Sequence, residues 1–449
     1  CAGLVMLSRW VLRQYVRVFR VSRWMRLHFT LMGKLCLIVC LVAGVYGVDT
    51  KSSTTYQLFV FVLVLLIFAL LGSLFNRLKV MITRQLPRYA TVGEPFIYSV
   101  TVNNSTKHNY RDLALIEQLI EHFPNDAELA DFYQLVDKPW YKRAVSFRHW
   151  RRYLIYQRGA YIDEKTIAFL GAQQSEQVKL SCTPLRRGKL NFSGAYIAKA
   201  DLLGLFRRLY FAPQVQSCWV LPRRYPVKTL ALSGKRHYQS GGVSLANSVG
   251  DSSEFMSLRE YRQGDALNRV HWKSFARQGK LIVKEYQDEY FVRRALVLDS
   301  ELGSLNRELF EAAVSVAASL VMSEWQQDAL LDLMFVGHEA HRFTAGRGVD
   351  HLPHLQEILA AVQPSGAQSF VKLQEAVQAH IQQCSSLVCV LLHWDMQRQD
   401  FIRKLRAQGV PLAVFLVHDG SLIKAELKHT PEHFYLIGAQ HIAEDLAAV

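Results

Sequence analysis

What this 449-residue chain lacks removes several classes of function before any fold is considered. No G-x-x-x-x-G-K-[ST], H-E-x-x-H or G-x-S-x-G string occurs. The sequence therefore offers no phosphate-cradling loop, no helical zinc pair with its general base and no nucleophile elbow of those kinds. Seven cysteines are scattered with no C-x-x-C pair among them, which points to reduced thiols rather than a redox or zinc motif. Acid is nearly missing from the first part: residues 1–88 hold 12 Lys/Arg against one acidic residue, and residues 58–75 hold no charge at all. Acid is in excess only in residues 291–449, with 18 against 12, so the net charge of +15 belongs to the rest of the chain.

That distribution is the pattern of a membrane anchor. Residues 58–75, LFVFVLVLLIFALLGSLF, come close to the roughly 20 apolar residues that cross a hydrocarbon core. Residues 29–48 carry one charge, Lys34, near their start, where a long side chain can snorkel to the headgroups. Residues 49–57 alone join the two, so a transmembrane hairpin over 29–79 is expected. Arg9, Arg13, Arg17, Arg20, Arg23, Arg26 and Lys34 precede it and Arg77, Lys79, Arg84 and Arg88 follow, which by the positive-inside rule puts both flanks in the cytoplasm. Within residues 1–28 the arginines recur at helical spacing with Trp10, Val16, Phe19 and Trp24 between them, the pattern of a basic amphipathic helix lying on anionic lipid. Two successive spans without a small-residue cleavage site argue against a signal peptide.

From residue 80 the chain changes to short alternating runs broken by turns. Residues 80–84, 96–102, 166–170, 177–182 and 190–197 read as strands, and their order suits an antiparallel β-sandwich over 80–232. An insertion at about 119–161 mixes Trp140, Phe147, Trp150 and Tyr153 with Lys142, Arg143, Arg148, Arg151 and Arg152. Ordinary packing, a membrane or partner face, and single-stranded nucleic acid all suit that mixture. Membrane anchoring accounts for the basic charge, so no nucleic acid is expected. Residues 233–253 collect six serines and four glycines and read as a linker. Beyond 291, apolar runs at 295–298, 330–336, 386–392 and 411–417 alternate with helical stretches, which implies a parallel sheet covered on both faces.

The densest stretch is 254–290, whose core reads Leu258-Arg259-Glu260-Tyr261-Arg262-Gln263-Gly264-Asp265, then Arg269-Val270-His271-Trp272-Lys273, Ala276-Arg277 and Lys284-Glu285. This resembles the bacterial family named domain of unknown function 58, whose pattern runs roughly L-R-x-Y-x-x-G-D, [IV]-[DH]-W-K, A-R and a final apolar strand. Pro184-Leu185-Arg186-Arg187-Gly188 and residues 201–208 also look like landmarks of that family, with Leu202 where the family usually has proline. The resemblance implies a von Willebrand factor A-like domain over 291–449 and a MoxR-type AAA ATPase as partner. Taken with the anchor, we read an inner-membrane protein acting as an adaptor or assembly factor rather than an enzyme. The acidic C-terminal domain is then a docking face for a basic partner surface. The rival is a membrane-bound hydrolase with Asp265, His271 and Glu285 as its working groups.

Read physically, Gly264-Asp265 supplies a turn and an N-cap for residues 266–270, Trp272 is a buried anchor, and the interleaved charges pair to form a structural clip; a docking surface is the other reading of the same residues. Metal-binding A domains place D-x-S-x-S after their first strand. Here Asp299-Ser300-Glu301-Leu302-Gly303 has lost both hydroxyls, leaving Glu301, Thr344 and Asp395 as further oxygen donors. We therefore expect a degenerate site and no bound metal or other cofactor.

Overall fold

The computed structural model describes residues 14, 17–46, 53–75, 78–120, 157–228, 254–263, 265, 267, 270–287, 293–302, 307–325, 330–336, 340–345, 351–366, 369–420 and 430–449. The linker at 233–253 and most of the insertion at 119–161 lie outside these. By internal contact the chain divides into two units, residues 1–223 with 356–362, and 224–355 with 363–449.

The first unit begins with residues 17–28 (α1), Leu31–Tyr46 (α2) and Ser53–Phe75 (α3), all helical. On α1, Arg17, Arg20 and Arg26 are exposed beside Val18, Val21 and Trp24, while Arg23 donates to Gln118 at 2.7 Å. Neither α2 nor α3 has a polar face. They pack through Cys36, Leu37 and Cys40 on one and Phe59, Val62, Leu66 and Ala69 on the other, leaving Leu31, Ile38, Leu41, Phe61 and Phe68 exposed. Among the described residues, Thr54–Ser73 is the helix long and apolar enough to cross a membrane by length and composition; α2, at 16 residues, is shorter.

Two sheets follow. One runs β1-β3-β7-β5, from β1 (Val80–Gln85), β3 (Phe96–Asn104), β5 (Ala160–Ile162) and β7 (Ser175–Pro184). The other runs β2-β9-β8-β4-β6, from β2 (Tyr89–Thr91), β4 (Tyr110–Leu119), β6 (Lys165–Leu170), β8 (Gly188–Ala200) and β9 (Arg207–Leu221). All pairs are antiparallel except β2 with β9. Alternation along the strands sends Val80, Ile82, Val100, Val102, Leu113, Leu115 and Ile197 into one core between the sheets. The same alternation on β1 sends Arg84 inward. Its guanidinium meets Glu117 of β4 in a forked pair at 2.6 and 3.0 Å, donates to the Gln214 carbonyl at 3.2 Å, and lies over the Phe192 ring at 4.8 Å. Burial pushes the Glu117 carboxyl up, and the Arg84 hydrogen bond and charge oppose that shift.

In the second unit, β10 (Glu254–Glu260) and β11 (Ile282–Gln287) pair antiparallel as a two-stranded sheet, with α4 (Trp272–Gln278) between them in sequence. A six-stranded sheet follows in the order β14-β13-β12-β15-β16-β17, from β12 (Arg293–Leu298), β13 (Leu330–Val336), β14 (Ala340–Ala345), β15 (Ser386–Leu391), β16 (Leu412–His418) and β17 (His433–Gly438). Its pairs are parallel except β13 with β14. The helices are α5 (Arg307–Trp325), α6 (His351–Ala361), of which residues 356–361 are grouped with the first unit, α7 (Ser369–His380), α8 (Met396–Ala407) and α9 (Ile442–Ala448).

Both faces of this sheet are apolar. Ala295, Val297, Met334, Cys389 and Val414 pack against Phe370 and Leu373 of α7 and Phe401 and Ile402 of α8. The alternate residues Leu296, Leu298, Leu333, Val388, Val390 and Phe415 are equally buried, and α5 packs along β12, β13, β15 and β16. Continuous apolar runs are what strands covered on both sides require. From β12 the chain passes to β13 on one side and later returns to β15 on the other, so the C-terminal ends of β12 and β15 border the switch point where α/β sheets place their sites.

Removing one member of a buried ion pair strands the other. We predict that Arg84→Met lowers the stability of the sandwich by about 3–5 kcal/mol, and that adding Glu117→Leu restores most of the loss. Thermal unfolding of the full chain in detergent checks both.

Candidate functional site

The signature residues form a β–loop–helix–β unit. Glu260 of β10 pairs with Ile282 of β11, and Tyr261 N donates to the Leu281 carbonyl at 2.9 Å. The returning chain adds a third partner, because Val270 bridges Val283 and His271 N donates to the Ile282 carbonyl at 2.8 Å. Helix α4 starts at Trp272 and stops at Gly279, whose φ of 67° is the left-handed cap glycine adopts freely.

Within that frame Arg259 grips Asp265 with a guanidinium fork, Nη1 to Oδ2 at 2.7 Å and Nη2 to Oδ1 at 2.8 Å. The Arg262 backbone N–H donates to the same Oδ2 at 2.8 Å. These contacts hold the Asp265 carboxyl at about 2, well below its ordinary range. Asp265 thus binds groups that precede it; Leu267 lies in a 3-10 turn, and the next α-helix begins at Trp272, after His271, which makes no side-chain cap bond. Residues 266, 268 and 269, on which the expected helix falls, lie outside the described residues, as does Gly264. Glu260 pairs with Lys280 at 3.3 Å, both exposed. His271 Nδ1 is 2.6 Å from Ser274 Oγ. Asp265 and His271 are thus engaged with different partners, and no hydrogen bond joins them among the described residues. Glu285 pairs through its backbone with Ser257.

Trp272 departs from the expectation. It is not a buried anchor: it is 60% exposed, with Phe275 (38%) edge-on to it at 6.0 Å. Position 272 lies on the outer side of a short helix that exposes Lys273 and Arg277 as well.

A separate cluster closes the switch point of the six-stranded sheet. Asp299, fully buried just past β12, accepts from Glu301 N at 3.0 Å on Oδ1 and from Arg398 Nε at 2.8 Å on Oδ2. Arg398 reaches in from α8, stacks on Phe370 at 4.3 Å, and donates through Nη1 to Asp395 at 2.7 Å. Asp395 also caps α8 by accepting from Arg398 N. Burial pulls the Arg398 pKa down, but the charge and hydrogen bond of Asp299, with Asp395 and Glu301, outweigh it and raise the value overall. Arg398 is only 2% exposed, and its Nη2 has no hydrogen-bond partner among the described residues.

These donors do not fit a divalent ion. A guanidinium already stands between the two carboxylates, and Glu301 turns away to accept from Phe370 N at 3.0 Å and Ser369 Oγ at 3.4 Å. Ser300 bonds the Val336 carbonyl and Ser365. Thr344, expected near Asp299, sits instead on β14 with its hydroxyl on Asp332 at 2.6 Å, in a second cluster with Arg293 and Arg342 near the start of the parallel strands. Sequence reasoning found Asp299 and Asp395 but missed Arg398. The D-x-x-R spacing at 395–398 signals a capped helix, yet nothing local says that the arginine reaches a carboxylate 99 residues away.

Trp272→Ala changes stability by no more than about 0.5 kcal/mol, as at other exposed positions, in thermal unfolding of the full chain. Asp265→Asn speeds amide exchange at Arg262 without moving the global midpoint. In the unaltered chain the Arg259–Asp265 contribution is complete above pH 3.8 and fades as pH falls through about 2. Arg398→Ala costs about 3–5 kcal/mol by stranding buried Asp299, and this variant alone is stabilised by millimolar Mn²⁺ or guanidinium in a thermal scan.

The uncharacterized protein YeaD of Bacillus subtilis is 27% identical over 200 residues, covering 44% of this chain and 48% of that protein, so the chain spans about half the length of the curated relative it matches. Among solved structures, the CARDB domain of a Pyrococcus furiosus protein, in complex with di-metal ions, matches 32% of this chain and 94% of its own at 12% identity and a TM-score of 0.18. The cohesin module of a Clostridium perfringens family 33 glycoside hydrolase matches 32% and 98% at 9% identity and a TM-score of 0.15. Residues 257–419, from the braced signature to the end of β16, match the family described as protein of unknown function DUF58.

Proposed function

We propose that the chain is a membrane-anchored adaptor that presents a docking surface to a partner protein in the cytoplasm. The observation that carries the reading is the exposed Trp272–Phe275 pair on α4. A rigid aromatic pair left in water is the kind of group that dominates interface energy. The Arg259–Asp265 fork and the backbone bonds of 261, 270 and 271 hold it on a braced frame, which lowers the ordering cost of binding. Lys273, Arg277 and Lys280 surround it, so the matching face is an apolar pocket rimmed by acids.

Anchoring is supported by the outward apolar faces of α2 and α3 and by the basic residues before and after them, which under the positive-inside rule face the cytoplasm. An inner-membrane hairpin with both termini inside is the topology we propose. The mixed sheet with an aspartate after its first strand supports a von Willebrand factor A-like domain, here closed by Arg398 instead of a metal. The partner we propose, from the family resemblance, is a MoxR-type AAA ATPase.

The test is retention from a mild-detergent extract, read by mass spectrometry. The full chain retains an AAA ATPase, and Trp272→Ala with Phe275→Ala weakens retention about 30-fold or more, the loss of a hot spot worth at least 2 kcal/mol. Unchanged retention by that double variant removes the docking role. A hydrolytic activity lost in folded Asp265→Asn replaces the reading with an enzyme.

A further inference from the structure

We infer that the turn between β8 and β9, residues 201–206, is a second membrane contact: Leu202 and Leu203 insert into the lipid interface beside the start of α2. The inference rests on the anchoring of α2 and α3 proposed above and adds a lipid-binding element outside those helices.

The turn is built into the helical hairpin. Leu205 is buried in the cluster that holds Cys40, Leu66 and Ala69, with Phe206 packed at its edge and its ring tilted against Phe29 at 4.6 Å. Thr30, one residue before α2, donates its N–H to the Leu205 carbonyl at 3.1 Å and its hydroxyl to the Gly204 carbonyl at 2.5 Å. Three residues into α2, Gly33 lies so close to the turn that a Cβ there would collide with the Leu205 carbonyl. At the same end of the hairpin, Arg208 donates to the Ser73 carbonyl near the end of α3 at 3.2 Å. The turn is therefore level with the first turn of α2, a few ångströms along the helix at 1.5 Å per residue. If α2 enters lipid, the turn cannot remain in bulk water.

Two features suit it to that depth. Backbone polar groups are costly near hydrocarbon unless paired. Here Asp201 Oδ1 accepts from Leu205 N at 2.7 Å and Phe206 N at 3.0 Å, Gly204 N donates to the Asp201 carbonyl, and Asp201 N donates to the Phe206 carbonyl. What the turn shows outward is apolar: Leu202 is 98% exposed and Leu203 45%. A leucine with almost no contact stabilises nothing in the fold. Its burial in lipid would recover the transfer energy it lacks in water. Arg26, Lys34, Arg207 and Arg208 lie around the same level, where cations meet lipid headgroups.

The test places the photo-crosslinking residue p-benzoylphenylalanine, one position at a time, at 202, 68 or 97 of the full chain in vesicles of phosphatidylethanolamine and phosphatidylglycerol. Phe68 is exposed in the middle of α3 and reports the anchor itself. Ile97 is equally exposed but lies far along β3: Val80, just after α3, pairs with Asn104, and seven residues of strand separate that point from Ile97, about 23 Å at 3.3 Å per residue. Lipid adducts at 68 and 202, with background yield at 97, are expected. Adducts at 68 but only background at 202 overturn this inference and leave the anchor standing. Background at both 68 and 202 overturns the anchor and the inference with it. Equal yields at 202 and 97, or a protein adduct at 202 instead of lipid, also overturn it.

Discussion

A guanidinium held against a carboxylate recurs in three parts of this chain, buried in two of them and partly exposed in the third. In the sandwich Arg84 meets Glu117 between the two sheets. In the six-stranded sheet Arg398 meets Asp299 and Asp395 at the switch point. In the signature Arg259 meets Asp265 at a half-buried turn. Such pairs do not add much net stability over an apolar core, because desolvation offsets most of the attraction. They impose specificity instead. The planar fork accepts one geometry, and any register that separates the partners leaves a charge buried alone.

The switch point illustrates how such a pair redefines a site. Two aspartates from β12 and from the cap of α8 converge where an open α/β sheet commonly binds its ligand. Here the converging charge is neutralised from within the chain, and Glu301 is drawn off to the start of α7. The crevice becomes a clamp between strand ends and helix.

Beside the helical hairpin, side chains satisfy backbone groups in the same directed way. Asp201 satisfies the inner amides of the β8–β9 turn, Thr30 satisfies its carbonyls, and Gly33 allows the close approach. The sandwich is thus joined to the helical hairpin through a short, internally bonded turn as well as through the chain that leaves α3. That turn joins β8 to β9, the two longest strands of their sheet.

Much of the fold was legible in local pattern. The apolar runs of α2 and α3, the alternation in β1, β3, β6, β7 and β8, and the continuous apolar runs of β12, β13, β15 and β16 depend on nearest neighbours and periodicity, which a sequence states directly. β4 and β9 were not legible: β4 reads YRDLALIEQL with a buried Glu117, and β9 opens on Arg207-Arg208 and holds Pro213. A buried charge and a strand proline break the alternation that marks a strand, and both are tolerated because of partners far along the chain, Arg84 for the first and the bulge at Phe192/Gly194 for the second. The signature residues were legible as a set, but not their roles. Whether Trp272 is inside or outside depends on which face of a seven-residue helix meets the rest of the unit, and so short a helix carries no periodic signal to decide it. Arg398 is the extreme case. Its type, spacing and helix are all local, while its partner is brought by the parallel crossover of a whole sheet, and only tertiary structure sets that distance.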